Sequence, residues 1–104
     1  MEEAQGVTDI TPFLRELRVW LKLSLWGMVR ERVESILDDE RKLLAYEATD
    51  GHASTRDVGR LAGVDQKTVS TWWREWMREG IVEAGPVRAD RPVRLISLRE
   101  LGLL

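Results

Sequence analysis

The sequence predicts a mainly α-helical protein with a small β-hairpin near its end. Three observations carry this. Apolar side chains recur in three- and four-residue steps between Leu14 and Met77, the period of a helix seen from one side. The helical stretches open on Thr11, Asp38 or Asp39, Ser54 and Asp65, and Gly51, Gly63 and Gly80 follow the last three; these residue types cap helix starts and ends. Beyond Gly80 the pattern turns strand-like, with "IVEAGPV" and "PVRLISL" on either side of "RADR" and Pro and Gly at the bends.

The first helix starts at Thr11-Pro12, where Thr can cap and Pro suits the first helical position. Only Gly27 interrupts it before Leu37, at a cost of about 1 kcal/mol against Ala. Leu14, Leu17, Leu21, Leu25 and Met28 fall on one stripe, and Val19, Leu23 and Trp26 lie nearly opposite at about 100° per residue. An ordinary surface helix has one apolar stripe, so two stripes imply two covers. The expectation is that one stripe packs on the chain's own domain and the other on a second copy. Residues 11–37 are thus read as a dimerisation helix, with Leu14, Leu17, Val19, Trp20, Leu21, Leu23 and Trp26 at the interface. Residues 1–10 precede it as a disordered or extended segment, and burial within one subunit is the alternative.

In the domain expected over 38–104, "LDDERKLLAYEATDG" gives a short helix whose apolar face is Leu43, Leu44 and Ala48. In "STRDVGRLAG", Ser54 and Asp57 have capping-box spacing and Val58, Leu61 and Ala62 form the face, with Gly63 as the stop. Asp65 caps a further helix that runs to Glu79. Two helices joined by "AGVD" have the layout of a helix-turn-helix, in which a short Gly-containing turn sets the second across the first. "LRELGLL" is left as either a last short helix or a frayed tail.

The stretch "QKTVSTWWREWMREG" crowds three tryptophans into five positions. Val69, Trp72, Trp73, Trp76 and Met77 all fall within an arc of roughly 140° on the helical wheel, which is a core-facing stripe. Trp73 and Trp76 are read as core and Trp72 as cover for a seam. A base-stacking platform needs exposed aromatics among cations, and here the cations lie on the other side. That side holds Lys67, Ser70, Thr71, Arg74 and Arg78 near a helix N-terminus, whose free amides favour phosphate. Short hydroxyls let a helix enter the major groove while Lys, Arg and Gln66 reach base edges. A solvated helix face is the plain alternative.

Composition bounds the rest. There are no cysteines and one histidine, His52, which argues against disulfides and zinc and suits a reducing interior. The start "MEEAQGV" is acidic where a secretory leader is basic. The most apolar run, Val19 to Val29, is broken by Lys22 and Ser24 and falls short of the ~20 apolar residues a spanning helix needs. A soluble, cytoplasmic protein without a membrane partner is expected. Net charge is −2, but residues 1–52 hold 7 basic and 11 acidic side chains and residues 53–104 hold 9 and 7, so any polyanion surface belongs to the second half.

From about residue 39 to 98 the chain resembles the winged helix-turn-helix transcriptional regulators of bacteria and archaea. The match lies in "STRDVGRLAGVDQKTVSTWWREWMREGIVE" followed by "GPVRADRPVRLISL": Thr68-Val69 opens a recognition helix, and Gly80-Ile81-Val82 leads into a wing. Trp73 and Trp76 depart from the pattern, which more often has Leu there, and so does the acidic total charge. The resemblance implies sequence-specific binding of double-stranded DNA by a homodimer. Gln66, Lys67, Ser70, Thr71 and Arg74 would read bases, Thr55 and Arg56 would hold a phosphate, and Arg88, Arg91 and Arg94 of the wing would grip the backbone or minor groove.

The competing expectation is a winged helix used only for protein contact, since fold does not fix function. Catalysis is not expected. Ser54 is two residues from His52 but suits a helix cap, and the acidic run Asp38, Asp39 and Glu40 sits where a helix start wants negative charge. No cofactor, metal site or effector ligand is assigned.

Overall fold

A computed structural model of the chain describes residues 9–104. The reading of residues 1–10 therefore falls almost wholly outside the described residues. Among the described residues, four helices and a small two-stranded antiparallel sheet make a mainly helical structure: α1 (Thr11–Ile36), α2 (Glu40–Glu47), α3 (Thr55–Ala62), α4 (Gln66–Glu79), β1 (Val82–Glu83) and β2 (Val93–Arg94). The chain divides into two units, the second starting at Val33.

The first unit is the body of α1. Its cap is not Thr11: the Asp9 carboxylate accepts the Thr11 amide at 3.3 Å, and Leu14 N already bonds to Ile10 O at 2.9 Å. Thr11 is thus inside the helix, one step further than its side chain suggested. Every residue from Thr11 to Arg32 is exposed except the half-buried Trp26 and Val29. Only Val33, at the helix's last turn, is buried.

The second unit closes its own core. Val33 and Leu37 enter it from the end of α1, Ala45 and Tyr46 from α2, Val58 and Ala62 from α3, and Val69, Trp73 and Trp76 from α4. Asp39 caps α2 by accepting the Arg41 amide at 2.7 Å. The buried face of α2 is Ala45 and Tyr46, with Leu43 and Ala48 half-buried and Leu44 exposed, so the expected face was rotated by about one residue. The helix ends at Ala48, short of Gly51. Gly51 (φ 88°) instead turns the chain beyond an isolated antiparallel bridge between Asp50 and Val93, a third extended segment that the sequence reading missed. The Asp50 carboxylate accepts the His52 and Ala53 amides, both at 2.9 Å, and fixes that turn.

Ser54 and Asp57 form the expected reciprocal capping box of α3, and Asp65 caps α4 by accepting the Thr68 amide at 2.8 Å. Both helices end on a left-handed glycine, Gly63 and Gly80. Within α3, Gly59 has a second role: a Cβ there would stand 2.6 Å from the Val64 carbonyl oxygen. The helix presses against the turn that follows it, and only a residue without a side chain lets it approach so closely. Val58 and Ala62 are buried as expected, but Leu61 is 68% exposed.

The hairpin register pairs Val82 with Arg94 and Glu83 with Val93. Its strands are two residues each, much shorter than the apolar runs implied. Gly85 explains the early break. A Cβ there would lie 2.0 Å from the Arg91 carbonyl oxygen and 2.6 Å from that of Arg88, so the loop folds over its own backbone at once. Past β2, Leu98 and Leu101 are buried in a turn closed by Leu101 N to Ser97 O at 3.2 Å. That tail is packed rather than frayed, and it forms no regular helix.

Candidate nucleic-acid interface

The core side of α4 sets which way its polar side points. Trp76 is fully buried, edge-on to Tyr46 at 5.5 Å and stacked with Trp72 at 6.0 Å. Trp73 donates its indole N–H to Thr49 Oγ1 at 3.0 Å, and Thr49 donates onward to Ala45 O at 2.7 Å. Anchoring by two indoles fixes the rotation of α4 about its axis. Trp72 is half-buried, with Lys42 6.0 Å over its ring, and so covers a seam as expected. Met77 is 44% exposed; the edge of the apolar arc was drawn one residue too wide.

The opposite side presents Gln66, Lys67, Thr71, Arg74 and Arg78 to solvent, with Ser70 and Thr68 half-buried. Thr55 lies against this side, its hydroxyl donating to Gln66 Oε1 at 3.4 Å. Thr71 turns its hydroxyl back to Lys67 O at 3.1 Å, a bond within reach of exchange for a ligand. Among the described residues none of Arg56, Lys67, Arg74 and Arg78 makes an ion pair. At the N-terminus, Thr68 holds the Asp65 carboxyl below its ordinary range by hydrogen bonds to the carboxylate.

Two open clefts connect these residues. One of about 490 Å³ runs between α4 and the hairpin loop and is lined by Thr55, Ser70, Trp73, Arg74, Met77, Arg78, Ala89, Asp90 and Pro92. Another of about 470 Å³ is lined by Thr55, Asp65, Gln66, Lys67 and Ser70. The structure thus brings Thr55, Gln66, Lys67, Ser70 and Arg74 onto one face and sets the loop tip beside them. Arg78, expected on the polar side of the helix without an assigned contact, also lines the first cleft. Arg56 is exposed on the first turn of α3.

The three hairpin arginines behave differently from one another. Arg88 is exposed but pairs in two-pronged fashion with Asp90, Nε to Oδ1 at 3.0 Å and Nη2 to Oδ2 at 2.9 Å; the guanidinium holds the Asp90 carboxyl below the usual range. Arg91 is half-buried and donates to His52 O at 2.7 Å. Arg94 donates to Glu47 O at 2.7 Å and stands 3.7 Å from the Glu47 carboxylate. Arg94 was expected to face DNA, and in this structure its guanidinium is held against Glu47. Its guanidinium satisfies a carbonyl left open at the end of α2, where a cation is also favoured by the helix dipole. Arg91 likewise tethers the loop to the His52 turn.

On α1, Leu14, Leu17, Val19, Trp20, Leu21 and Leu23 are exposed, and Trp26 is half-buried with Lys22 Nζ 5.4 Å from its ring centre. His52 is exposed in a loop and Ser54 is occupied as a cap. Among the described residues no group of three His, Cys, Asp or Glu could hold a metal ion, and no helix is long and apolar enough to cross a membrane. The chain matches no known protein family, no curated protein and no solved structure.

Proposed function

We propose that this chain is a winged helix-turn-helix protein that binds double-stranded DNA in a sequence-specific way and regulates transcription as a homodimer. The observation that carries the reading is the rotation of α4. Trp73 and Trp76 are turned inward, while Lys67, Arg74 and Arg78 stand outward and make no ion pair among the described residues. A helix about to meet phosphates keeps its cations available; a helix that merely dissolves its domain gains by pairing them.

In this reading α4 enters the major groove. Gln66, Lys67, Ser70, Thr71 and Arg74 meet base edges, and Arg74 is suited to the paired acceptors of guanine. Thr55 and Arg56 hold a phosphate beside the groove, and Arg78 adds a backbone contact. The hairpin loop is the wing, with Arg88 as its phosphate contact and Arg91 as the brace that fixes its angle. Pairing of α1 between two chains sets two copies of α4 about 34 Å apart on one duplex face, which calls for a roughly palindromic site.

The competing reading, a protein-contact module, draws on exposed Leu61 and Met77. One experiment separates them. Selection of bound duplexes from a random pool is followed by a salt titration on the selected and a scrambled duplex. DNA binding gives an enriched palindromic motif and retention that falls steeply with salt, and Arg74→Glu abolishes retention with the fold intact. No retention by the wild-type chain at low salt overturns the DNA reading.

A further inference from the structure

We propose that the cleft between α4 and the hairpin loop binds a small organic anion, an apolar body carrying one carboxylate, and that this ligand and the duplex exclude each other. The exclusion rests on the DNA reading; the site itself does not.

The size of the cleft sets the class of occupant. At about 490 Å³ it lies within the roughly 300–1,000 Å³ of small-molecule sites. Its lining sets the chemistry. The buried Trp73 and Pro92 and the exposed Met77 and Ala89 make its apolar part. Arg74 and Arg78 border it one helical turn apart, and neither makes an ion pair among the described residues. Like charges at this spacing repel. A carboxylate beside both guanidiniums relieves that repulsion and accepts charge-assisted hydrogen bonds. Asp90, the acid in the lining, is held two-pronged by Arg88 and so does not serve as their counterion.

Each part of the lining excludes a simpler occupant. A bare inorganic anion would satisfy the arginines but leave Trp73, Met77 and Pro92 facing water. A neutral apolar molecule would cover those three and leave two cations unmatched. An apolar carboxylate answers both. In the DNA reading Arg74 meets bases and Arg78 the backbone, and a guanidinium closed on a carboxylate cannot also do either. The ligand therefore weakens duplex binding by mass action, about tenfold when present at about ten times its dissociation constant.

The test uses the whole chain, isotope-labelled at its methionine methyls and followed by nuclear magnetic resonance. Met77 borders the cleft and Met28 lies on α1. The probes are naphthoate, phenylbutanoate and octanoate, each beside its neutral amide, with inorganic phosphate as the bare anion. At least one carboxylate is expected to move the Met77 methyl signal saturably while Met28 stays fixed, and its amide and phosphate are not. Arg78→Gln should weaken that carboxylate by about tenfold or more. Arg78 is exposed, and the near-ultraviolet signal of Trp72, Trp73 and Trp76 reports that the variant is folded. The site is overturned if no carboxylate moves Met77 at millimolar concentration, if the amide or phosphate acts equally, if Met28 moves in step, or if Arg78→Gln changes nothing. In a second arm, a duplex selected from a random pool is titrated with and without the saturating carboxylate. Unchanged retention overturns the exclusion. A chain that retains no duplex even without the carboxylate removes the DNA reading and the exclusion with it, while Met77 still judges the site.

Discussion

Replacing Tyr46 with Phe removes one oxygen from the middle of the second unit. That hydroxyl donates to Ile81 O at 2.7 Å and accepts the Ile96 amide at 3.1 Å, so a single side chain of α2 ties both arms of the hairpin. The ring's edge-on contact with Trp76 at 5.5 Å survives in Phe, and the substitution isolates the hydroxyl. After the change Ile81 O keeps its bond from Leu95 N at 3.0 Å, whereas the Ile96 N–H loses its partner. One lost bond and one stranded donor together cost about 2 kcal/mol. In a domain of this size that lowers the melting temperature by about 8–16 °C. Thermal and urea unfolding, followed by near-ultraviolet circular dichroism, measure it. Burial also pushes the Tyr46 phenol above its ordinary ionisation range. The folded chain holds this proton where the unfolded chain has lost it, so wild-type stability is intact below about pH 10 and declines above it. Tyr46 is the only tyrosine, and the Phe variant lacks its share of that alkaline decline. A melting shift under about 2 °C, together with an unchanged alkaline limb, refutes the bracing role.

Gly59→Ala places a methyl 2.6 Å from Val64 O. Overpacking of about 1–3 kcal/mol outweighs the roughly 1 kcal/mol that Ala gains as a helix former, and urea unfolding should show net destabilisation. Gly85→Ala meets backbone oxygen at 2.0 Å and should reshape the hairpin loop with less effect on the helices, as seen by amide hydrogen exchange confined to residues near 84–92. Arg94→Met strips the end of α2 of its cation and should cost about 1–3 kcal/mol of stability with an unchanged salt slope of DNA retention; a slope that falls would mean that Arg94 meets phosphate after all. Asp57 and Asp65 are held below the ordinary carboxyl range by bonds from Ser54 and Thr68. Their support is present above about pH 4 and fades as pH falls through the lower folded values. Asn retains the cap without the charge, so Asp57→Asn with Asp65→Asn should flatten the acid limb of stability measured by urea midpoints.

Helix starts and stops were legible because capping is local chemistry: Ser54, Asp57, Asp65, Gly63 and Gly80 act where their own backbone demands it. The inward turn of Trp73 and Trp76 followed from helical period alone. What escaped depends on distant chain. Tyr46 and Thr49 gain their roles from Ile81, Ile96 and Trp73, 24 or more residues away, and no local pattern marks such partners. A three-residue step from Leu43 to Tyr46 was the one available hint of the α2 face. Arg94 looked like its neighbours Arg88 and Arg91 because composition does not distinguish a cation that closes a helix end from one that faces water. The Asp50–Val93 bridge is a single pair, too short for periodicity to announce.

Arg88 and Asp90 give the loop tip a built-in counterion. In the proposed DNA-binding reading, a phosphate arriving there would have to displace a carboxylate that already fits the guanidinium two-pronged, and the displaced charge would then stand beside the duplex it opposes. Such a tip would contribute little to casual adhesion along DNA. It would reward only a site at which α4 is fully seated and the exchange is forced, so an acidic chain of this kind would discriminate by weak grip elsewhere rather than by strong grip at its target.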